Sequence, residues 1–182
     1  AVYNDALQIV VPAGSPIRTV AGLRGARVSI GPENSGVAYV AQRVLAAVGL
    51  AEPDDVRLSR LDLAGSVAAL RAGDVDAFFW VGALPTTTVT DLAATVPVRL
   101  LDLEPVLDTL RIRYPVYAPG TVLAGTYRIA DPVATLLVRN VLEGALDLVE
   151  DIVETGLDVA RRSQNLAHAP RGRDPDVSAT TR

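Results

Sequence analysis

Two glycine-containing turns carry the polar residues best suited to hold a small ligand. The first lies in VSIGPENSGVAYVAQRVL, residues 28–45, between an apolar segment and an amphipathic one. Where a helix would begin, the chain reads Asn34, Ser35, Gly36 and Val37. The first amides of a helix lack intrahelical acceptors and lie at the positive end of its dipole, so they attract anions. This turn is a candidate carboxylate site; the alternative is an ordinary strand-to-helix connection.

The composition of this first turn is expected to leave its amides open to a ligand. The residues three positions after Asn34 and Ser35 are Val37 and Ala38, so no glutamate or glutamine completes a capping box. We therefore expect the amides near Ser35, supported by its hydroxyl, to bind a carboxylate. The turn matches neither the Walker sequence, which needs a lysine, nor the GxGxxG fingerprint of dinucleotide sites.

The second turn lies in DVDAFFWVGALPTTTVTDL, residues 74–92. Its apolar run has the length of a buried strand, and Trp80 and Gly82 lie near the end of this run, where we expect a turn. Pro85 and the threonines that begin at Thr86 open the next helix and supply hydroxyl donors. If both turns follow parallel strands, they lie side by side at the carboxyl edge of one sheet, where open α/β folds bind ligands.

The aromatic residues of the second segment are open to two interpretations. Phe78, Phe79 and Trp80 follow one another in the apolar run and could all belong to the core. We prefer that interpretation for the two phenylalanines. Trp80 is nearer the turn and is better placed to reach a pocket.

A catalytic or metal-binding apparatus is hard to assemble from this chain. His168 is the sole histidine, and cysteine and lysine are absent. A Ser-His-Asp triad, a thiolate nucleophile and a histidine metal site are therefore disfavoured. The neighbouring acids Asp54 and Asp55 read as solvated loop residues. An arginine could clamp a carboxylate, but the sequence does not choose one. We predict a protein that is not an enzyme and needs no cofactor or metal.

Length and charge narrow the class of protein. The 182 residues suit one domain, or one lobe of a larger protein, and 49% of them are hydrophobic, enough for a core. With a net charge of −4, the chain lacks the excess of positive charge that is typical of proteins that bind nucleic acid or an anionic membrane. No apolar run reaches the ~18 residues of a membrane span. The chain opens on a strand-like segment without a starting methionine, so we expect it to be a piece of a longer product.

Strands and helices are expected to alternate along the chain. The hydrophobic pattern predicts strands at residues 6–11, 27–30, 56–61, 77–81, 98–103, 121–124 and 133–138. It predicts helices at 37–48, 63–72, 85–95, from 105, and at 142–156. This alternation indicates an α/β fold with a mostly parallel sheet. The polar residues from 166 onward are expected to form a disordered tail.

Three stretches in this order resemble the TAXI receptors of TRAP (tripartite ATP-independent periplasmic) transporters. They are ALQIVVPAGSPIRTVAGLRGARVSIGPENSG, AALRAGDVDAFFWVGALPTTTVTDLAATVPVRLLDL and YPVYAPGTVLAGTY, at residues 6–36, 68–103 and 114–127. The resemblance implies a periplasmic-binding-protein fold of type II, whose two lobes close on a small carboxylate or amino acid. It also implies an extracytoplasmic receptor that passes its solute to the TRAP membrane permease subunits, without inserting into the membrane itself.

The resemblance also implies a division of the chain and roles for single residues. Residues 1–138 would form the second lobe with hinge strands, residues 139–165 would return to the first lobe, and the first lobe's N-terminal part would be absent. Asn34, Ser35 and Gly36 would lie at the anion site, with Trp80, Gly82, Pro85 and Thr86 on the facing wall and Tyr117, Gly125, Thr126 and Tyr127 toward the hinge and cleft. Val37 and Ala83 depart from the family, which often has threonine and glycine there.

Two other functions remain open at this point. The same lobe could serve as the sensory module of a signalling protein, which a fused kinase or DNA-binding segment would reveal. An enzyme on a similar lobe is the third possibility, which turnover of a candidate acid would reveal.

Overall fold

A computed structural model describes residues 4–139 of the chain. Its strands are β1 (Asn4–Pro12), β2 (Arg27–Ser29), β3 (Arg57–Ser59), β4 (Ala77–Gly82), β5 (Val98–Leu100), β6 (Tyr117–Val122) and β7 (Val133–Arg139). Its α-helices are α1 (Gly36–Ala47), α2 (Leu63–Ala72), α3 (Thr87–Thr95) and α4 (Glu104–Arg113), with short 3-10 turns at Ala21–Leu23 and Thr126–Arg128. The helix predicted at 142–156 and the tail predicted from 166 lie outside the described residues. So does the predicted returning segment 139–165, apart from Arg139 at the end of β7.

The strands form one mixed sheet in the order β3-β2-β4-β1-β7-β6, and β5 also pairs with β1. The β2 strand runs parallel to β3 and β4, whereas β1 runs antiparallel to β4, β5 and β7, and β6 antiparallel to β7. The predicted α/β class is therefore confirmed, but the prediction of a mostly parallel sheet is wrong. The reason is that β1 lies in the middle of the sheet and runs against all of its neighbours.

Helices cover both faces of the sheet around two apolar clusters. Successive side chains of β1 alternate between the clusters, as the period of a strand requires. Leu7 and Ile9 pack with α1 and α4, while Val10 packs with α2 and α3. Phe79 and Phe78 divide between the clusters in the same way, and both are fully buried. The core role predicted for the two phenylalanines is confirmed.

The C-terminal end of α1 is set by a glycine, whereas the start of α3 is not set by its proline. Gly49 follows α1 with a φ of +69°, its N–H binds the carbonyl of Ala46, and the N–H of Leu50 binds that of Leu45. A left-handed glycine followed by a buried apolar residue is a common way for a helix to end. By contrast, α3 begins at Thr87 and not at Pro85, because residues 83–86 form a turn before the helix.

The β6 strand begins at Tyr117, four residues before the predicted start at Thr121. Pro119 and Gly120 read as strand breakers in the sequence, but β6 is an outer strand of the described sheet, where proline is tolerated. Gly120 fits beside Leu137, whereas a Cβ at this position would lie 2.6 Å from Cγ of that leucine and one of the two would have to move. Among the described residues, no helix combines the length and apolarity needed to cross a membrane.

Candidate ligand-binding edge of the sheet

The two glycine-containing turns lie side by side at one edge of the sheet. The β2 and β4 strands are parallel neighbours, with Val28 opposite Ala77 and Ser29 opposite Phe78. Their carboxyl ends therefore meet at the same edge, which we call the candidate edge. The first turn (residues 31–37) follows β2, and the second turn (residues 82–87) follows β4. The predicted juxtaposition of the turns is confirmed.

The first turn is tight because of two backbone conformations in it. Gly31 has a φ of +86°, and a Cβ added there would lie 2.9 Å from Cβ of Val37. Asn34 has a φ of +58°, in the left-handed region that asparagine tolerates better than most residues. The two residues turn the chain back so that α1 starts directly beyond the end of β2.

Ser35 is the N-cap of α1, and its hydroxyl is engaged in the turn. The hydroxyl donates to the carbonyl of Pro32 at 2.6 Å and accepts from the N–H of Ala38 at 3.2 Å. The expectation that the amides are free is therefore wrong for Ala38, because a serine at the N-cap reaches the amide three residues on. Within residues 4–139 no acceptor is found for the N–H groups of Gly36 and Val37.

Thr86 holds the second turn together through its hydroxyl. It donates to the carbonyl of Ala83 at 2.7 Å and accepts from the indole Nε1 of Trp80 at 3.0 Å. The indole lies over Gly82, where a Cβ would come within 2.7 Å of Nε1. Unlike the Ser35 hydroxyl, it makes no bond to an amide of the following helix, and α3 starts without a side-chain cap.

Tyr127 supports the second turn from the 3-10 turn Thr126–Arg128, in which Thr126 lies half-buried beside it. The Tyr127 hydroxyl accepts from the N–H of Thr86 at 2.7 Å and donates to Oε1 of Gln8 at 2.7 Å. Tyr127 and Gln8 are both buried. Gln8 is absent from the residues predicted for the site. Its signal in the sequence is a glutamine in the middle of the apolar segment ALQIVV.

Tyr117 lies on the other face of the sheet. It belongs to the cluster of α1 and α4, whereas Tyr127 belongs to the cluster of α2 and α3. Its hydroxyl accepts from a guanidinium N–H of Arg43 at 2.9 Å, and that guanidinium stacks 4.0 Å from the ring centre of Tyr114. Burial raises the pKa of Tyr117, against the opposing effect of Arg43. The structure therefore groups Trp80, Thr86 and Tyr127 together and places Tyr117 apart from them.

A groove of about 600 Å³ opens away from the candidate edge. It lies between the end of α3, the start of β5 and residues 127–133, and of the predicted site residues it touches only Tyr127. The guanidinium of Arg99 lines it but already donates to the carbonyls of Ala13, Ser15 and Ile17. Among the described residues, no cluster of acids or histidines could hold a metal ion.

The chain matches one protein-family model and is similar to solved structures of binding proteins. A family model described as the NMT1-like family matches residues 1–156. The alkanesulfonate-binding protein SsuA from Xanthomonas axonopodis pv. citri, bound to MOPS, is 31% identical over 55% of this chain and 35% of its own, with a TM-score of 0.43. The periplasmic aliphatic sulphonate binding protein SsuA from Escherichia coli is 22% identical over 89% of this chain and 48% of its own, with a TM-score of 0.46.

An ancestral arginine-binding protein bound to arginine is 16% identical over 85% of this chain and 57% of its own, with a TM-score of 0.44. The chain thus spans between about a third and just over half the length of these three binding proteins.

Proposed function

Because the chain belongs to the NMT1-like family, we propose that it is a ligand-binding lobe of an extracytoplasmic solute-binding protein. The observation that carries this proposal is the pair of turns at the carboxyl ends of the parallel neighbours β2 and β4. Each turn leads into a helix whose start faces the same edge, a place where α/β folds bind ligands. The lobe would be of the type II periplasmic-binding-protein kind.

The proposed ligand is a small carboxylate or amino acid. The N–H groups of Gly36 and Val37, at the start of α1, are without an acceptor within the described residues. Amides at a helix start are suited to a carboxylate because they add hydrogen bonds to the positive end of the helix dipole. The hydroxyls of Ser35 and Thr86 hold their own turns, so they would act by keeping the amides in place.

The finer proposal is a receptor of the TAXI type that serves a TRAP permease. It is supported by the resemblance of the two turns and of the VLAGTY segment to that group. Trp80, Gly82, Pro85 and Thr86 would form the wall that faces the anion, with Thr126 and Tyr127 behind it. In this proposal the ligand is enclosed by a second lobe, and the receptor acts by binding and not by turnover.

The test is calorimetric titration, with a panel of small solutes, of the protein that carries both this lobe and the second lobe. We expect saturable binding of a carboxylate or amino acid and no binding of a neutral analogue that lacks the carboxylate. Alkanesulfonates belong in the panel because their tetrahedral anion would compete for the same amides. A protein that binds no anion of the panel, or that converts one of them to a product, would contradict the proposal.

A further inference from the structure

The central strand of the described sheet carries a buried glutamine. Gln8 lies in β1, opposite Trp80 of β4, and is only 1% exposed. Its Oε1 accepts from Tyr127, while its Nε2 has only two long contacts, of 3.4 Å, to the carbonyls of Ala6 and Gly82. A buried amide costs stability unless its hydrogen bonds are made. The strongest bond of this side chain is the one to Tyr127.

The bond to Tyr127 continues as a chain of hydrogen bonds into the second turn. The Tyr127 hydroxyl accepts from the Thr86 N–H, and the Thr86 hydroxyl accepts from the Trp80 indole. Three separate parts of the fold thus meet through the side chains of Gln8, Tyr127, Thr86 and Trp80. The two bonds that share the Tyr127 hydroxyl, from the Thr86 N–H and to Gln8, polarise one another.

The backbone at Tyr127 and at the next residue has an unfavourable conformation that the surrounding structure must stabilise. Tyr127 and Arg128 have φ values of +51° and +62°, in the left-handed region that is unfavourable for residues with a Cβ. Such a conformation persists where the surroundings fix it. Tyr127 is 4% exposed, and its hydroxyl is bonded on both sides.

We propose that Gln8 and Tyr127 are positioning residues of the candidate edge, which fix the second turn and the Trp80 indole without contacting the ligand. This inference rests on the proposed function. The Tyr127 oxygen holds the N–H of Thr86, and the Trp80 indole holds the hydroxyl of the same residue. Both bonds fix Thr86 at the N-cap position of α3, where its side chain makes no capping bond to the helix.

Tyr127→Phe tests the role of the hydroxyl, because it removes both hydrogen bonds and leaves the ring. Trp80 is the only tryptophan of the chain, so its emission reports on the second turn directly. We expect Trp80 emission to change and its quenching by acrylamide to increase. Binding of the solute found in the titration panel should weaken by about tenfold, the loss expected when the displaced turn costs the ligand one hydrogen bond. Tyr114→Phe is the matched control, and it should change neither.

Gln8→Met tests the other end of the chain while keeping the size of the side chain and the Tyr127 hydroxyl. We expect the same change in Trp80 quenching, and less than additive effects when it is combined with Tyr127→Phe. In the unmodified chain, the Thr86 amide should exchange slowly with deuterium although its turn is partly exposed, because it is bonded to Tyr127. This measurement needs no variant.

Three results would overturn the inference. They are lower thermal stability of Tyr127→Phe with unchanged Trp80 emission and quenching, strictly additive effects of the two variants, and rapid exchange of the Thr86 amide. The fluorescence and exchange measurements need no ligand, so they separate this inference from the proposed function. If no solute binds but Trp80 responds as expected, the proposed function fails and the positioning role stands.

Discussion

Ser35 and Thr86 carry hydroxyl groups that are engaged within their own turns. Each donates to a carbonyl three residues before it and accepts a second bond, from Ala38 in the first turn and from Trp80 in the second. A ligand at the candidate edge would therefore bind main-chain N–H groups, because these two hydroxyls are already hydrogen-bonded within their turns. The sequence alone could place the two residues in turns, but it could not show which of their hydrogen bonds are made internally.

Gly36→Pro should weaken anion binding without unfolding α1. Proline at the first position of a helix is well tolerated, and it removes the N–H of that position. Ser35 has the extended conformation, φ −86° and ψ 154°, that precedes proline readily. A lost hydrogen bond to a charged group corresponds to ~1.5–3 kcal/mol, so calorimetry should show a loss of affinity of about tenfold or more. Gly36→Ala keeps the N–H and should bind nearly as the unmodified chain does; equal loss in both variants would contradict the amide site.

Ser35→Ala should lower the free energy of unfolding by about 1 kcal/mol, the usual cost of losing an N-cap. The physical reason is that the N–H of Ala38 loses its acceptor. Urea denaturation followed by circular dichroism measures the effect. Ser35→Asp also caps a helix and should restore most of the stability. If Ser35→Ala left stability unchanged but abolished binding, the hydroxyl would be a ligand contact and not a cap.

At the scale of elements, local sequence patterns predict single helices and strands better than they predict contacts between residues distant in sequence. The α2 helix was predicted at residues 63–72, the bounds it has in the structure, because an apolar stripe and a following glycine define it locally. The predicted β6 strand is too short because proline and glycine are unfavourable in most strands. Pro119 is tolerated because β6 is an outer strand, and Gly120 fits because Leu137 lies close to it. Gln8 and Tyr127 are 119 positions apart. Their bond depends on the 3-10 turn Thr126–Arg128 packing beside β1, which no local pattern indicates.

Gly120→Ala should destabilise the pairing of β6 with β7. The added methyl group would lie 2.6 Å from Cγ of Leu137, so side chain or strand must move, at a cost of ~1–3 kcal/mol. Gly14→Ala is the control, since a Cβ there has no neighbour within 4 Å and should change stability by no more than about 0.5 kcal/mol. Urea denaturation of both variants checks the difference. Equal effects would show that Leu137 moves aside at little cost and that the close contact does not require the glycine.

A pair of charges joins β2 to the segment before β4 at the edge opposite the candidate edge. The guanidinium of Arg27 donates to both carboxylate oxygens of Asp76, at 3.1 and 2.7 Å. The hydrogen bond from Arg27 is the main cause that lowers the pKa of Asp76. A carboxyl whose folded pKa is below its unfolded value of about 3.9 stabilises the fold above that pH. Its contribution is lost as the pH falls through the folded pKa.

Asp76→Asn should therefore flatten the dependence of stability on pH at the acidic end. Measured between about pH 2 and 7, the unmodified chain should lose stability below about pH 4, and the variant should lose less. Asp108→Asn is the control, because Asp108 is exposed and lies 3.9 Å from Arg111. If both variants kept the full acid sensitivity, the Arg27–Asp76 pair would not be its source.

At the scale of the whole molecule, the central strand β1 connects the strand that leads to the second turn with other strands of the described sheet. It pairs with β4, β5 and β7, separates the two apolar clusters and carries Gln8 toward the second turn. The described residues place the two turns at one edge, and the chain spans no more than 57% of the three binding proteins named above. Enclosure of the ligand by a second lobe stays a prediction.

The outer strands of the described sheet bear on how the protein behaves at high concentration. An exposed strand edge offers free N–H and C=O groups to a strand of another molecule, which is a route to fibrils. Of the strands at the two ends of the strand order, β3 has three residues and begins with the exposed Arg57, and β6 contains Pro119, which has no N–H to donate. The β5 strand, which pairs only with β1 among the described strands, is also only three residues long. Short length, charge and proline are means by which natural sheets resist such growth. The described sheet is thus poorly suited to act as a template for polymerisation.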